Sequence, residues 1–221
     1  MSAAVRLFQR EFGLAWGRGG GAILALGFYA ALTTLTPLAS GSEPDRLATL
    51  SVGSAWLALA LSSLLSLDRM FERDFEDGAL DLLALGPVGL IGVSAIKALA
   101  QWAAVGLPLA LAAPIAVAAL GGPEDLLELV LVTALVGGIG FSFTGAMGAA
   151  LSLGSRRGGL LVAVVVLPLF APPVIFGAGC LTAAAQGLGW LGGFLLLCAW
   201  ALFTVALSPL VAAFAVRDAL D

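Results

Sequence analysis

The side chains that carry out most protein chemistry are either missing from this chain or kept out of its apolar runs. There is no histidine, which removes the base of a Ser–His or Cys–His pair and both ligands of an HExxH zinc site. The single lysine, Lys97, follows Ile96, so no GxxxxGK[ST] loop exists to cradle phosphates. The 14 carboxylates fall ahead of the first apolar run, in breaks between the runs, at their ends or at the C-terminus. An ion-coupled carrier or proton pump instead sets Asp, Glu or His at membrane depth. Lys97, about two turns into an apolar run, is the one ionisable group with a deep position. Its stem can snorkel to the headgroups; the other reading is a functional intramembrane cation. Cys180 and Cys198 sit within apolar runs and read as small buried hydrophobes. The chain is not expected to be an enzyme or to hold a metal. If ATP is used, another chain binds it.

The elements that carry these residues follow from composition. Of 221 residues, 61% are hydrophobic and 11% charged, against roughly half and a quarter in an ordinary soluble domain. The excess belongs in lipid, and no nucleic-acid footprint is present. Apolar runs at 20–40, 48–67, 90–120, 127–153, 159–183 and 190–215 are each long enough to span a bilayer. They predict an all-α polytopic membrane protein with one transmembrane domain over residues 1–221. Ahead of the spans, Val5, Phe8, Phe12 and Trp16 recur at helical spacing, with Arg6, Gln9 and Arg10 turned away. That pattern predicts an interfacial amphipathic helix over 3–18, apolar face down and arginines at the headgroups, and no cleavable signal peptide. With the N-terminus inside, Arg6, Arg10, Arg18, Arg69, Arg73, Arg156, Arg157 and Arg217 are cytoplasmic and Lys97 lies near that face. Of the 10 Lys and Arg, Arg46 alone then falls outside. Positive charge gathers on the cytoplasmic side, so both termini are expected there.

The break at 68–89 has the densest charge. The second span is expected to run on as a cytoplasmic helix with Leu67, Phe71 and Phe75 on one stripe. Gly78 would take the left-handed cap that ends it. A second short helix over 79–85 would be closed by Gly86 and Pro87. A charge run of this kind can be no more than a solvated face. Leu80, Leu82 and Leu83, however, have no further domain of this chain to cover them, so a partner or the membrane surface must. Glu72, Arg73, Asp74 and Asp77 are expected around the rim of that contact.

Two spans carry packing signals. Gly140, Thr144, Gly148 and Ser152 recur every four residues in the fourth span. Small faces of this kind let helices approach closely in lipid, either inside one chain or at a dimer seam. Pro168, Pro172 and Pro173 in the fifth span are expected to kink or break it, as a passive bend or as a hinge.

The 68–89 segment resembles the coupling helix of ABC-transporter membrane subunits, which seats in a groove on a cytoplasmic ATPase. Glu72-Arg73, Gly78, Leu80-Asp81, Leu83 and Pro87 match the pattern of six-span ABC exporters, with Ala79 and Gly86 where Ser or Thr is common. Along its whole length the chain resembles the CcmB family, the haem-exporter B proteins of bacterial cytochrome c maturation. The resemblance rests on Thr36-Pro37-Leu38 with Glu43-Pro44, Ser62-Ser63-Leu64-Leu65, Lys97, Trp102, Gly106-Leu107-Pro108 and Gly148-Ala149-Ala150-Leu151. It continues through Arg157-Gly158-Gly159, Leu167-Pro168-Leu169 and Pro173-Val174-Ile175-Phe176. Family members can carry histidine just before the tryptophan; here the residue is Gln101. The resemblance implies an inner-membrane permease subunit that pairs with the ATPase CcmA and a second copy of itself. CcmC, CcmD and the periplasmic haem chaperone CcmE would complete the assembly, with ATP and haem held by partner subunits and no cofactor on this chain. An ABC-2-type exporter of another small molecule or lipid, or a non-transporting adaptor for the ATPase, are the alternatives.

Overall fold

The protein is described by a computed structural model over residues 2–17, 21–41, 43–67, 69–153 and 158–220. Arg18, Arg156 and Arg157, counted above for orientation, and Asp68 lie outside the described residues. Among the described residues the chain is helical and free of strands.

Helix α1, Ala3–Trp16, starts where the Ser2 hydroxyl accepts the Val5 N–H at 3.4 Å. Of its stripe, Val5, Phe12 and Trp16 are exposed and Phe8 is half-buried, while Leu7 is buried and Glu11, Leu14 and Ala15 are half-buried. The apolar stripe therefore faces away from the rest of the chain, and α1 packs its other side on the third apolar element.

Helices α2 (Gly21–Ser40) and α3 (Pro44–Leu64) follow. The second span does not run on into the next helix as expected: α3 ends at Leu64 and α4, Arg69–Glu76, starts afresh. At the break the Ser63 hydroxyl donates to the Leu59 carbonyl at 2.8 Å and Ser66 to Ser63 at 3.0 Å. Helix α5 is Ala79–Ala84, entered through Gly78 at φ +68°, the left-handed conformation expected there.

The third apolar element, Gly89–Ala119, is continuous but not uniform. Helix α6 (Gly89–Gln101) passes through a π turn (Trp102–Gly106) into α7 (Leu107–Ala119). After a 3₁₀ turn come α8 (Leu127–Leu151), α9 (Gly158–Ala185) and α10 (Leu191–Leu220). Among the described residues, six helices are long and apolar enough to cross a membrane.

Helix α8 is the hub, packed on α3, α6, α7, α9 and α10. Its glycines are sockets for large side chains. A Cβ at Gly137 would come within 2.6 Å of Trp56, one at Gly145 within 2.5 Å of Leu67, and one at Gly148 would strike Val166. The Gly140–Thr144–Gly148–Ser152 face is buried inside the chain, with Gly140 against Trp200. That burial accords with packing within the chain. Trp56, Phe141 and Phe170 continue the core, with ring centroids 6.2 and 4.6 Å apart. Helix α9 runs unbroken through Pro168, Pro172 and Pro173, so the expected break is absent. Cys180 is buried, Cys198 is half-buried, and both are free thiols.

Candidate functional site

The segment between the second and third candidate spans folds as a hairpin of α4 and α5. Its residues divide into those it offers outward and those it uses inward. Leu82 and Leu85 are 74% and 88% exposed, with Glu72, Asp77 and Asp81 exposed around them. Leu80 is fully buried, in a cluster with Phe71, Ala98 and Val216, and Leu83 packs against the same cluster. The expectation that Leu80 points to a partner is thereby corrected. On a helix, positions 80 and 83 share the face toward α6 and α8, which leaves 82 and 85 on the other. An open apolar groove of about 570 Å³ lies beside α5, lined by Ala84, Leu90, Ile91, Phe214 and Arg217.

Asp74 is a second correction. Expected at the rim, it is 1% exposed and Lys97 is 2% exposed. The Lys97 ammonium donates to Asp74 Oδ2 at 2.5 Å, to Glu11 Oε2 at 2.8 Å and to the Met70 carbonyl at 3.0 Å. These use all three of its donors. Its Nζ also lies 5.5 Å from the Phe71 ring centroid. The Arg10 guanidinium closes the network, donating to Asp74 Oδ1 at 2.5 Å and Oδ2 at 3.1 Å, and to Glu11 Oε1 at 2.6 Å. Two cations and two carboxylates thus balance. The charge of Lys97 goes to side chains of α1 and α4, and the residue also lines a small cleft beside them. Arg10, with its side chain 41% exposed, likewise directs its charge to Asp74 and Glu11.

Burial pushes the Asp74 carboxyl up. The Arg10 hydrogen bond, with the charge and hydrogen bond of Lys97, outweighs this and holds it below its ordinary value. The hydrogen bond to Asp74 raises Arg10 further above its already high value. Arg73, another expected rim residue, is half-buried and lines a small cleft of about 70 Å³ beside the network. Gln101 Nε2 donates to the Ser66 hydroxyl in that cleft.

Sequence reasoning missed Glu11 and the partnership of Arg10. A signal was present. A lone lysine in an apolar run needs a counter-charge, and Glu11 is the one acid in the amphipathic N-terminal stretch.

Six long apolar helices, an amphipathic N-terminal helix and a charged hairpin between the second and third of the six define a multi-pass helical membrane protein. No metal cluster occurs among the described residues. The chain belongs to the CcmB family, whose model, described as CcmB protein, matches residues 2–219. A "Heme exporter protein B" of Paracoccus denitrificans is 45% identical over 211 residues, covering 96% of this chain and 97% of its own length. Its namesake in Bradyrhizobium diazoefficiens is 40% identical over 222 residues and covers both chains completely. That of Haemophilus influenzae is 36% identical over 217 residues, 98% of each.

Proposed function

We propose that this chain is the membrane subunit of an ABC-type haem-export complex of cytochrome c maturation. It would lie in the bacterial inner membrane with both termini cytoplasmic and paired with a second copy of itself. The observation that carries the reading is the α4–α5 hairpin, which leaves Leu82 and Leu85 bare on α5, with Glu72, Asp77 and Asp81 of the same hairpin also exposed. An isolated pair of leucines held out on a short helix, beside an apolar groove, suits insertion into a groove on a cytoplasmic ATPase of the CcmA type. Hydrolysis on that partner would drive haem delivery, or release of a haem-loaded periplasmic chaperone of the CcmE type, with CcmC and CcmD in the same assembly. The names of the relatives support haem as the cargo. Haem and ATP are assigned to partner chains, because this chain lacks histidine and a phosphate loop.

The test is co-purification of the ATPase with Leu82→Asp and Leu85→Asp. Both positions are exposed in the free chain, so folding should survive. Burying a leucine contributes roughly 1.5–3 kcal/mol, and placing a carboxylate there adds a desolvation cost. Binding should weaken by about a hundredfold or more. Glu72→Gln or Asp77→Asn should change it by no more than the about 0–1 kcal/mol of an exposed pair. Leucine variants that hold the ATPase as well as wild type would refute the assignment.

A further inference from the structure

The ion-pair network is an odd device for stability alone. Removing two ions from water costs nearly as much as their attraction returns, and apolar replacements often serve as well. Its distinguishing property is which parts it joins. Arg10 and Asp74 are 64 residues apart in sequence, Lys97 and Glu11 86 apart, Lys97 and Asp74 23 apart. They belong to three elements: the amphipathic α1, the hairpin helix α4 and the third apolar helix α6. Two of these are not candidate spans. Apolar side chains can slip past one another at little cost, but a two-point guanidinium–carboxylate contact fixes direction and register. The four charges also balance as a set, so withdrawing α1 would leave Asp74 and Lys97 with fewer partners in a buried place.

We propose that Arg10, Glu11, Asp74 and Lys97 form an electrostatic latch that makes α1 and the α4–α5 hairpin one body on α6. A push on the hairpin then reaches the third span and the amphipathic helix together instead of being absorbed in the turn at residues 65–67. The residues are positioning residues: none of them is offered to a partner. The consequence for ATP-driven work rests on the docking reading above, whereas the joining of α1 to α4 and α6 does not.

The experiment reads the hold on α1 directly. Leu7, buried on the protein-facing side of α1, is replaced (Leu7→Cys) in the full chain after Cys180→Ser and Cys198→Ser. Membrane vesicles are then treated with a water-soluble maleimide. Labelling should be slow in this background and stay slow with Lys97→Arg, which keeps the charge. Arg10→Met with Glu11→Met removes one cation and one carboxylate, keeps helix propensity, and leaves Lys97 and Asp74 as a balanced pair. In that variant labelling should rise at least about tenfold, the loss expected for several charge-assisted hydrogen bonds, while the helical circular dichroism stays at the wild-type level. Labelling as slow as in the parent would mean that apolar contact alone holds α1, and would overturn the latch. Lys97→Met with Asp74→Asn provides the second arm, cutting the same link from the α4 and α6 side, and the same two outcomes decide it. If labelling rises as expected but the wild-type chain never retains an ATPase, the latch stands and the docking reading falls.

Discussion

Trp56 is clamped between two glycines, and the clamp gives a sharp test of how the helices hold together. A Cβ added at Gly177 of α9 would overlap the Cη2–Cζ2 edge of the Trp56 six-membered ring, and one at Gly137 of α8 would lie 2.6 Å from Cη2 of the same ring. The indole is buried and has Phe141 at 6.2 Å, so it has nowhere to turn. Two residues along α9, a Cβ at Gly179 would meet nothing within 4 Å. Exchange of glycine for alanine in a helix gains about 0.8–1.0 kcal/mol, and overpacking a filled core costs about 1–3 kcal/mol. Gly179→Ala should therefore be neutral or stabilising by up to about 1 kcal/mol. Gly177→Ala should be destabilising by roughly 0–2 kcal/mol net, so the two variants should differ by about 1–3 kcal/mol. Unfolding in detergent followed by circular dichroism measures both. Trp56→Phe removes the ring that a Cβ at position 177 would strike, so combined with Gly177→Ala it should cost less than the two losses added. A coupling of about 0.5–3 kcal/mol is the expected range for residues in contact. Equal effects at 177 and 179, or full additivity with Trp56→Phe, would refute the clamp.

Two further outcomes are expected. Asp74, held below its ordinary value by Arg10 and Lys97 with Glu11 and Arg73 close by, contributes stability that is complete above the ordinary carboxylate value of about 3.9. That stability disappears as pH falls through the depressed value. The advantage of wild type over Asp74→Asn in thermal unfolding should thus be constant from pH 7 to 5 and shrink below about pH 4; an advantage already lost at pH 5 would refute the assignment. For haem, the isolated chain expressed in haem-replete cells should hold no stoichiometric haem. A sharp Soret band near one haem per chain, lost on Met147→Ala or Cys180→Ala, would show direct ligation and move haem onto this subunit.

The six apolar helices were legible because lipid imposes one demand, a run long and apolar enough to span, and that demand is written residue by residue. Their boundaries moved by a few residues: the sixth run, expected over 190–215, extends as α10 to Leu220. The hairpin between the second and third spans was legible from Gly78, Gly86 and Pro87, whose backbone preferences are local. The direction each leucine of α5 takes was not. Leu80 and Leu82 are alike in type, and which one turns inward depends on where α6 and α8 lie. The ion-pair network escaped for the same reason, since Glu11 and Lys97 are joined by the fold and by nothing in their spacing. The prolines of α9 were expected to kink or break it; Pro168, Pro172 and Pro173 stand within one continuous helix, so the break is not taken, as can happen where freed carbonyls find partners inside the protein.

Lys97 and the π turn belong to one arrangement. The element Gly89–Ala119 has 31 residues, about 46 Å at 1.5 Å per residue, against a hydrocarbon core of about 30 Å. Its first turns can therefore stand beside α1 and α4 while the remainder crosses the membrane. The two parts need different faces inward: the first must aim Lys97 at Asp74 and Glu11, the second must aim Leu109, Ala113 and Val117 into the core. Along the first part the buried positions 93, 97, 100 and 104 follow helical steps of three or four; at the π turn 104, 105 and 106 are all buried, and the inward line resumes one position later, four residues on from Val105, at Leu109. The π turn at Trp102–Gly106, where the Leu107 N–H reaches back to the Trp102 carbonyl, supplies that extra residue. Pro108, which has no N–H to give the carbonyl of Ala104, marks the place in the sequence. One inserted residue thus lets a single helix serve the charged anchor at one end and the apolar core at the other.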